Sequence, residues 1–169
     1  MSNIRVKGFN ELSKNLLSLT PKLEANVMRA ALNAGAKVVR DAAKANVPVS
    51  PPSRKGARVY GGYEGALRDS LRYGARTNLR KGKVVAYVRA GGKARGKKAD
   101  TFYAHWVEFG TAAHAIGNWQ HPGGTPRPYL RPALDAESRH ALLVIGNFIK
   151  QRMLTKHGID TKAAIEVEE

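Results

Sequence analysis

The strongest constraint on the fold is a long amphipathic helix predicted between Thr20 and Asn46. Apolar side chains recur there at helical spacing, and many are alanines, so another element can approach the helix closely. Thr20 suits the N-cap, and Pro21 suits the first helical position because a proline there loses no hydrogen bond. Val47 precedes a proline, which disfavours helical backbone and ends the helix. The apolar stripe consists of Leu23, Val27, Ala30, Ala31, Ala34, Val38, Ala42 and Ala45.

Two other segments have helical spacing. Phe9, Leu12, Leu16 and Leu19 predict a short helix before the long one. A last helix is predicted to begin near Pro132, and its apolar face is formed by Leu134, Leu142, Ile145, Ile149 and Met153. Gly35 lies inside the long helix, where glycine costs about 1 kcal/mol relative to alanine. We therefore expect a close packing contact at Gly35.

Between the helices the period changes to two. Apolar and polar residues alternate from Leu67 to Ala75. After a turn, the largely apolar segment Lys83–Arg89 returns as a second strand, and together they predict an antiparallel hairpin. The aromatic and β-branched segment Phe102–Phe109 predicts a third strand that ends at Gly110. The predicted fold class is α+β, with an antiparallel sheet of three to four strands packed against the long N-terminal helix and the C-terminal helix. We expect one domain over residues 1–158, with basic loops at 49–64 and 91–100, and a flexible acidic tail at 159–169.

The stretch from Thr101 to Leu134 combines this third strand with a proline-rich return. Residues 112–125 are rich in glycine and proline and predict an irregular loop. Pro126, Pro128 and Pro132 then restrict the backbone. The apolar pair Tyr129 and Leu130 lies between two of these prolines. We expect it to fill a hydrophobic gap, either in its own subunit or on a neighbouring one.

The pattern V-E-F-G-T followed by P-x-P-Y-L-x-P-A-L resembles the tail-completion, or neck, family of long-tailed bacteriophages. Three upstream motifs resemble the same family in the same order: Gly8-Phe9-Asn10-Glu11-Leu12, Asn46-Val47-Pro48 and Gly65-Ala66-Leu67-Arg68-Asp69-Ser70-Leu71. The resemblance covers about residues 4–155. This chain differs by a basic passage rich in proline and glycine between Pro48 and Gly65.

The resemblance implies a structural virion protein without enzymatic activity. Such a protein would form a ring of identical copies, with a hexamer as the favoured number, and would join the head connector to the tail. Its place would be the neck of the virion, after synthesis in the host cytoplasm. The predicted subunit or partner interface consists of Glu108, Gly110, Thr111, Pro126, Pro128, Tyr129 and Leu130.

The charge of the chain is strongly positive. Lys and Arg number 29 against 13 Asp and Glu, a net charge of +16. Residues 54–98 contain fourteen of these cations and only two acids. Such a field favours polyanions or acidic protein surfaces as partners, including DNA in a channel. The residues predicted to face them are Arg54, Lys55, Arg58, Arg80, Lys81, Lys83, Lys93, Arg95, Lys97 and Lys98.

Little in the sequence indicates catalysis, and no cofactor is predicted. The chain has no cysteine, which excludes disulfides and thiolate metal sites. Its five histidines form no H-x-x-x-H pair, so no metal site is predicted either. Glu108 could act as a general base, but an ion pair with Arg127 or Arg131 is the favoured alternative.

The sequence also bears on where the protein is located and on a second possible function. No apolar run is long enough to span a bilayer, and the N-terminus lacks the apolar core of a signal peptide, which predicts a cytoplasmic protein. The alternative to a neck protein is a small architectural protein that binds nucleic acid without sequence preference. Ring formation that depends on concentration would favour the neck protein, and a monomer that binds DNA would favour the alternative.

Overall fold

The computed structural model describes residues 5–49, 63–92, 100–160 and 166–168. By its contacts the chain divides into two compact units. Unit 1 contains Met1–Val39, Tyr73–Tyr87 and Ala136–Glu169, and unit 2 contains Arg40–Arg72 and Val88–Asp135. The fold is α+β, as predicted, but the sheets of the described chain are each two-stranded. The described residues therefore do not form the predicted sheet of three or four strands.

The described elements follow in chain order. They are β1 (Arg5–Lys7), α1 (Phe9–Leu17), α2 (Pro21–Asn46), α3 (Ala66–Ser70), β2 (Arg72–Asn78), β3 (Lys83–Arg89), α4 (Ala104–Phe109), β4 (His114–Ile116), β5 (Trp119–His121), α5 (Leu130–His157) and β6 (Glu166–Glu168).

The core of unit 1 lies between α1, the first part of α2 and the last part of α5. Its buried side chains are Leu12, Leu16, Val27, Ala31, Ile145, Ile149 and Met153. The predicted contact at Gly35 is confirmed, because a Cβ atom there would lie 2.6 Å from the Ile145 side chain and 3.1 Å from the Ala141 carbonyl oxygen. Three residues of the predicted apolar faces are in contrast exposed, namely Leu23 and Ala45 in α2 and Leu134 in α5.

The predicted hairpin is present as β2 and β3, which pair with each other. A short 3-10 turn at Leu79–Lys81 connects them. In this hairpin the Tyr87 ring lies against Gly74, where a Cβ atom would be 2.6 Å from the hydroxyl oxygen. The Arg76 guanidinium lies 5.2 Å from the centre of the same ring. The Tyr87 ring therefore packs against other residues of the hairpin.

The first part of the predicted strand Leu67–Ala75 is wrong. Residues 66–70 form helix α3, and the strand begins at Arg72. Leu67 and Leu71 are both buried in the core of unit 2, and a separation of four residues places them on one side of a helical turn. The Ser70 hydroxyl holds this turn by donating to the Leu67 carbonyl at 2.7 Å.

The predicted third strand Phe102–Phe109 is also wrong, because residues 104–109 form helix α4. Ala104 and Glu108, four residues apart, are its buried positions. Phe109 is 78% exposed, which a buried strand would not allow. The aromatic composition of this segment favoured a strand, but strand preference mostly reflects the surrounding packing.

The C-terminal tail, expected to be flexible, includes a short strand. β6 pairs antiparallel with β1, with Val6 opposite Val167 in the register. The predicted basic loops fall largely outside the described residues. Gly92 and Thr101 lie on either side of residues 93–99, and the Thr101 backbone N–H and hydroxyl both donate to the Gly92 carbonyl, at 3.0 and 2.7 Å.

Candidate subunit interface

The segment singled out in the sequence folds as one continuous feature of unit 2. It begins with α4, turns at Gly110, extends as a hairpin and returns to the start of α5. Gly110 has a φ of 73°, in the region that favours glycine. A Cβ atom there would lie 2.5 Å from the Gly124 carbonyl oxygen and 2.9 Å from Pro126 Cδ. The V-E-F-G-T motif therefore needs a glycine at this position, because the returning chain passes directly over it.

The base of the hairpin is closed by Thr111 and Gly124. Each donates its backbone N–H to the carbonyl of the other, at 3.0 Å in both directions. Beyond this bridge, β4 and β5 pair antiparallel, with Ile116 opposite Trp119. We call residues Thr111 to Gly124 the arm. The irregular loop predicted for residues 112–125 is thus wrong in part, because it contains this hairpin.

The side chains of the arm are mostly exposed to solvent. Ile116 is 53% exposed and Trp119 58% exposed. The rings of His114 and His121 stack across the two strands with their centres 5.0 Å apart, and Trp119 meets His121 edge-on at 5.3 Å. The arm therefore presents apolar and aromatic side chains at its end. The sequence patterns did not identify Ile116 or Trp119, although Gly117-Asn118 between short alternating runs is a recognised hairpin signal.

Glu108 joins α4 to the start of α5. One carboxylate oxygen accepts the backbone N–H of Tyr129 at 2.8 Å and that of Leu130 at 3.0 Å, and the other accepts the N–H of Arg131 at 3.1 Å. The first amides of a helix have no partner within it, so an acidic side chain can cap them. The predicted ion pair with Arg127 or Arg131 is replaced in the described residues by these backbone bonds. The Arg131 guanidinium lies instead 3.3 Å from Asp135.

Tyr129 occupies the core of unit 2 and is fully buried. Its hydroxyl donates to the Ala104 carbonyl at 3.3 Å. Burial raises the pKa of Tyr129 to about 12, and the nearby Glu108 carboxylate adds to this effect. Leu130 is partly buried against the same core. Their predicted role at a subunit interface stays a prediction, as does that of Pro126 and Pro128, which are exposed.

A cavity of about 340 Å³ opens beside the base of the arm. Its wall includes Tyr63, Leu67, Tyr103, Trp106 and Val107. The Tyr63 hydroxyl donates to Asp69 at 2.7 Å. Burial, followed by this hydrogen bond, raises the pKa of Tyr63 to about 12. The cavity is apolar for most of its surface, and its size suits one or two large side chains.

The predicted cationic surface is described only in part. Arg80, Lys81 and Lys83 are exposed at the turn between β2 and β3. The other predicted cations lie outside the described residues, namely Arg54, Lys55, Arg58, Lys93, Arg95, Lys97 and Lys98. Across the described part of the chain, no group of three or more metal-ligating side chains comes together. Nor does any helix in that part have the length and apolarity needed to cross a membrane.

Comparison with known proteins places the chain among phage tail components. Residues 10–110 match the family described as "Bacteriophage HK97-gp10, putative tail-component". This match covers more than half of the 169 residues, and the chain belongs to that family. The resemblance to phage proteins is therefore confirmed at the level of the family. Neither the curated proteins nor the solved structures gave a match.

Proposed function

We propose that this protein is a structural component of the phage neck that joins the head connector to the tail. In this proposal, identical copies form a closed ring, with a hexamer as the expected number. The protein has no catalytic activity, and it acts through shape and surface charge. Its partners are other copies of itself and neighbouring head and tail proteins in the virion.

The observation on which this proposal depends is membership of the tail-component family over residues 10–110. The site supports it in a second way. The motif residues form a rigid base, through the Glu108 cap and the Thr111–Gly124 bridge, that holds an exposed arm. An exposed apolar feature on a rigid base suits contact with another protein. A buried carboxylate whose oxygens bind three backbone amides suits structure better than catalysis.

The test is a phage in which this gene is disabled and supplied again from a plasmid. We expect the disabled phage to give filled heads and complete tails that remain separate, counted by electron microscopy. The wild-type gene should restore joined particles. Tyr129→Ala and Leu130→Ala should restore few, because each removes a side chain from the core that supports the arm.

The matched control is Leu134→Ala in the same helix, since Leu134 is half-exposed. This variant should restore joining fully. The melting temperature of each purified variant separates a failure to fold from a failure to bind the neighbouring protein. Normal joining in the complete absence of the protein would overturn the proposed function.

A second candidate function is an architectural protein that binds nucleic acid without sequence preference. The observation that favours it is the exposed cationic turn of Arg80, Lys81 and Lys83, in a chain of net charge +16. A protein of this kind would remain monomeric at concentrations where it binds DNA. Sedimentation of the purified protein with and without DNA distinguishes the two candidates.

A further inference from the structure

The arm forms an uncharged surface of this protein. The stretch from Phe109 to Pro126 contains no Lys, Arg, Asp or Glu, whereas 25% of the whole chain is charged. Its end is formed by Ile116 and Trp119, both more than half exposed. Exposed tryptophan on a soluble protein is a common anchor of protein–protein contacts. The arm therefore has the composition of a surface that binds an apolar site.

The cavity beside the base of the arm is the matching feature. Of the thirteen described residues that line it, Arg127 is the only charged one. Aromatic side chains, including Tyr103 and Trp106, form part of the wall. An indole ring in such a cavity would gain apolar burial, edge-to-face ring contacts and a cation–π contact with the guanidinium. The volume of about 340 Å³ is sufficient for one large aromatic side chain and a smaller neighbour.

The end of the arm does not lie in the cavity of its own chain. Thr111 and Gly124 line the cavity, and they also close the base of the arm. From this base, five extended residues reach up to roughly 16 Å to Ile116. Among the residues that the structure describes, none occupies the cavity or covers the end of the arm.

We propose that the end of the arm, with Ile116 and Trp119, inserts into this cavity of a second copy of the same chain. This inference rests on the proposed ring and names the contact between its subunits. The two surfaces lie at different places on one unit, so the contact is head-to-tail and can close into a ring. Charge favours a second copy over an acidic partner. Copies of a +16 protein repel one another, and they can approach most easily through surfaces that have almost no charge.

The experiment uses the natural absence of cysteine. Asn118→Cys places a thiol at the turn of the arm, and Val49→Cys places one at the cavity, where Val49 is 45% exposed. The two single variants of the full chain are mixed and treated with a short bismaleimide. We expect a covalent heterodimer, and the double variant should give a ladder of higher species. Leu79→Cys, at the exposed turn of unit 1, replaces Val49→Cys in the matched control and should give at least tenfold less heterodimer.

A second measurement does not depend on cross-linking. Trp119→Ala should raise the concentration needed for half-assembly by at least about 30-fold, as expected for a central aromatic anchor. The control Leu79→Ala should leave this concentration unchanged. Because both side chains are exposed, neither substitution should lower the melting temperature.

The outcomes separate this inference from the proposed function. Rings that form normally with Trp119→Ala and give no Asn118–Val49 heterodimer would overturn the arm contact and leave the ring intact. Cross-linking only within single chains of the double variant would also overturn it, since the arm would then reach the cavity of its own chain. A protein that shows no self-association at any concentration would overturn both the contact and the ring.

Discussion

Glu108 accepts three hydrogen bonds because the N-terminus of α5 leaves its first amides without partners inside the helix. The carboxylate also lies at the positive end of the helix dipole, which favours a negative charge. It is 6% exposed, so water cannot easily replace it. A glutamate that would otherwise suggest acid–base chemistry thus connects two helices of unit 2.

We expect Glu108→Ala to lower the free energy of unfolding by about 2–4 kcal/mol, because buried amides lose a charged acceptor. Glu108→Gln keeps the shape and one acceptor oxygen, so it should cost about 1–2 kcal/mol. Urea unfolding followed by circular dichroism measures both values. The control is Glu137→Ala in α5, a partly exposed carboxylate that pairs with the exposed His140 at 2.9 Å, and it should change the value by less than about 1 kcal/mol. Equal effects of Glu108→Ala and Glu137→Ala would mean that the cap contributes nothing to stability.

Tyr129 makes stability depend on pH in the alkaline range. Its pKa is raised from 10.0 to about 12 in the folded protein, mainly by burial. The unfolded chain ionises first, so this contribution is complete below pH 10 and is lost as the pH rises through about 12. Over that range wild type should lose about 2–3 kcal/mol more than Tyr129→Phe, which has no group to ionise. The measurement is urea unfolding of both proteins at pH 9 and at pH 12, and parallel losses would contradict the prediction.

At the scale of elements, close contact between α2 and α5 organises unit 1. Gly35 allows it, because any larger residue would meet Ile145 and the Ala141 carbonyl. In an isolated helix, replacing glycine with alanine stabilises by about 1 kcal/mol. At Gly35, the close packing of Ile145 opposes the helix propensity that favours alanine. The alanine-rich stripe of α2 has the same consequence, since small side chains let another helix approach its backbone.

Gly35→Ala is accordingly expected to destabilise the protein by about 1–2 kcal/mol despite the better helix propensity. In the background Ile145→Ala, the same change should become neutral or stabilising, because the side chain that it meets is gone. Thermal unfolding of the four proteins of this double-mutant cycle gives the coupling free energy. A coupling of zero would show that the overlap is relieved elsewhere in unit 1.

At the scale of the whole molecule, the charge is the dominant property. A net charge of +16 favours binding to polyanions and opposes self-association. The stretch from Phe109 to Pro126, which includes the arm of unit 2, contains no Lys, Arg, Asp or Glu. We therefore propose different surfaces for the two kinds of partner: the cations for DNA or acidic proteins, and the arm for other copies of the chain.

The cationic turn between β2 and β3 provides a test of DNA binding. Replacing Arg80, Lys81 and Lys83 together by alanine should leave the melting temperature unchanged, because all three are exposed. For each DNA phosphate that the variant no longer neutralises, the slope of log affinity against log salt should become shallower by about 0.9. Replacing Lys22, Arg29 and Lys37 on α2 removes the same charge at another exposed place. Identical slopes for the two triple variants would show that only the total charge matters.

Much of the helical structure could be predicted from the sequence, because its determinants are local. α2 begins at Pro21 and ends at Asn46, as predicted from Pro21 and from the proline that follows Val47. Hydrophobic spacing over many turns made the two long helices unambiguous. The requirement for a glycine at Gly35 and the fold class followed from the same patterns.

The short segments of unit 2 were decided by tertiary structure. In a segment of five or six residues, the spacing of apolar side chains cannot distinguish the period of a strand from that of a helix. Ala66–Ser70 and Ala104–Phe109 are helices, and their buried residues face the rest of unit 2. The partner of Glu108 lies 21 or more residues away, at amides that exist as donors only once α5 has formed. The sequence by itself determined where α2 begins and ends, since those signals act between near neighbours. For α5 it gave the helix but a start near Pro132, two residues after the observed start at Leu130. Only the tertiary structure decided what the motif residues contact, because those contacts join segments that are distant along the chain.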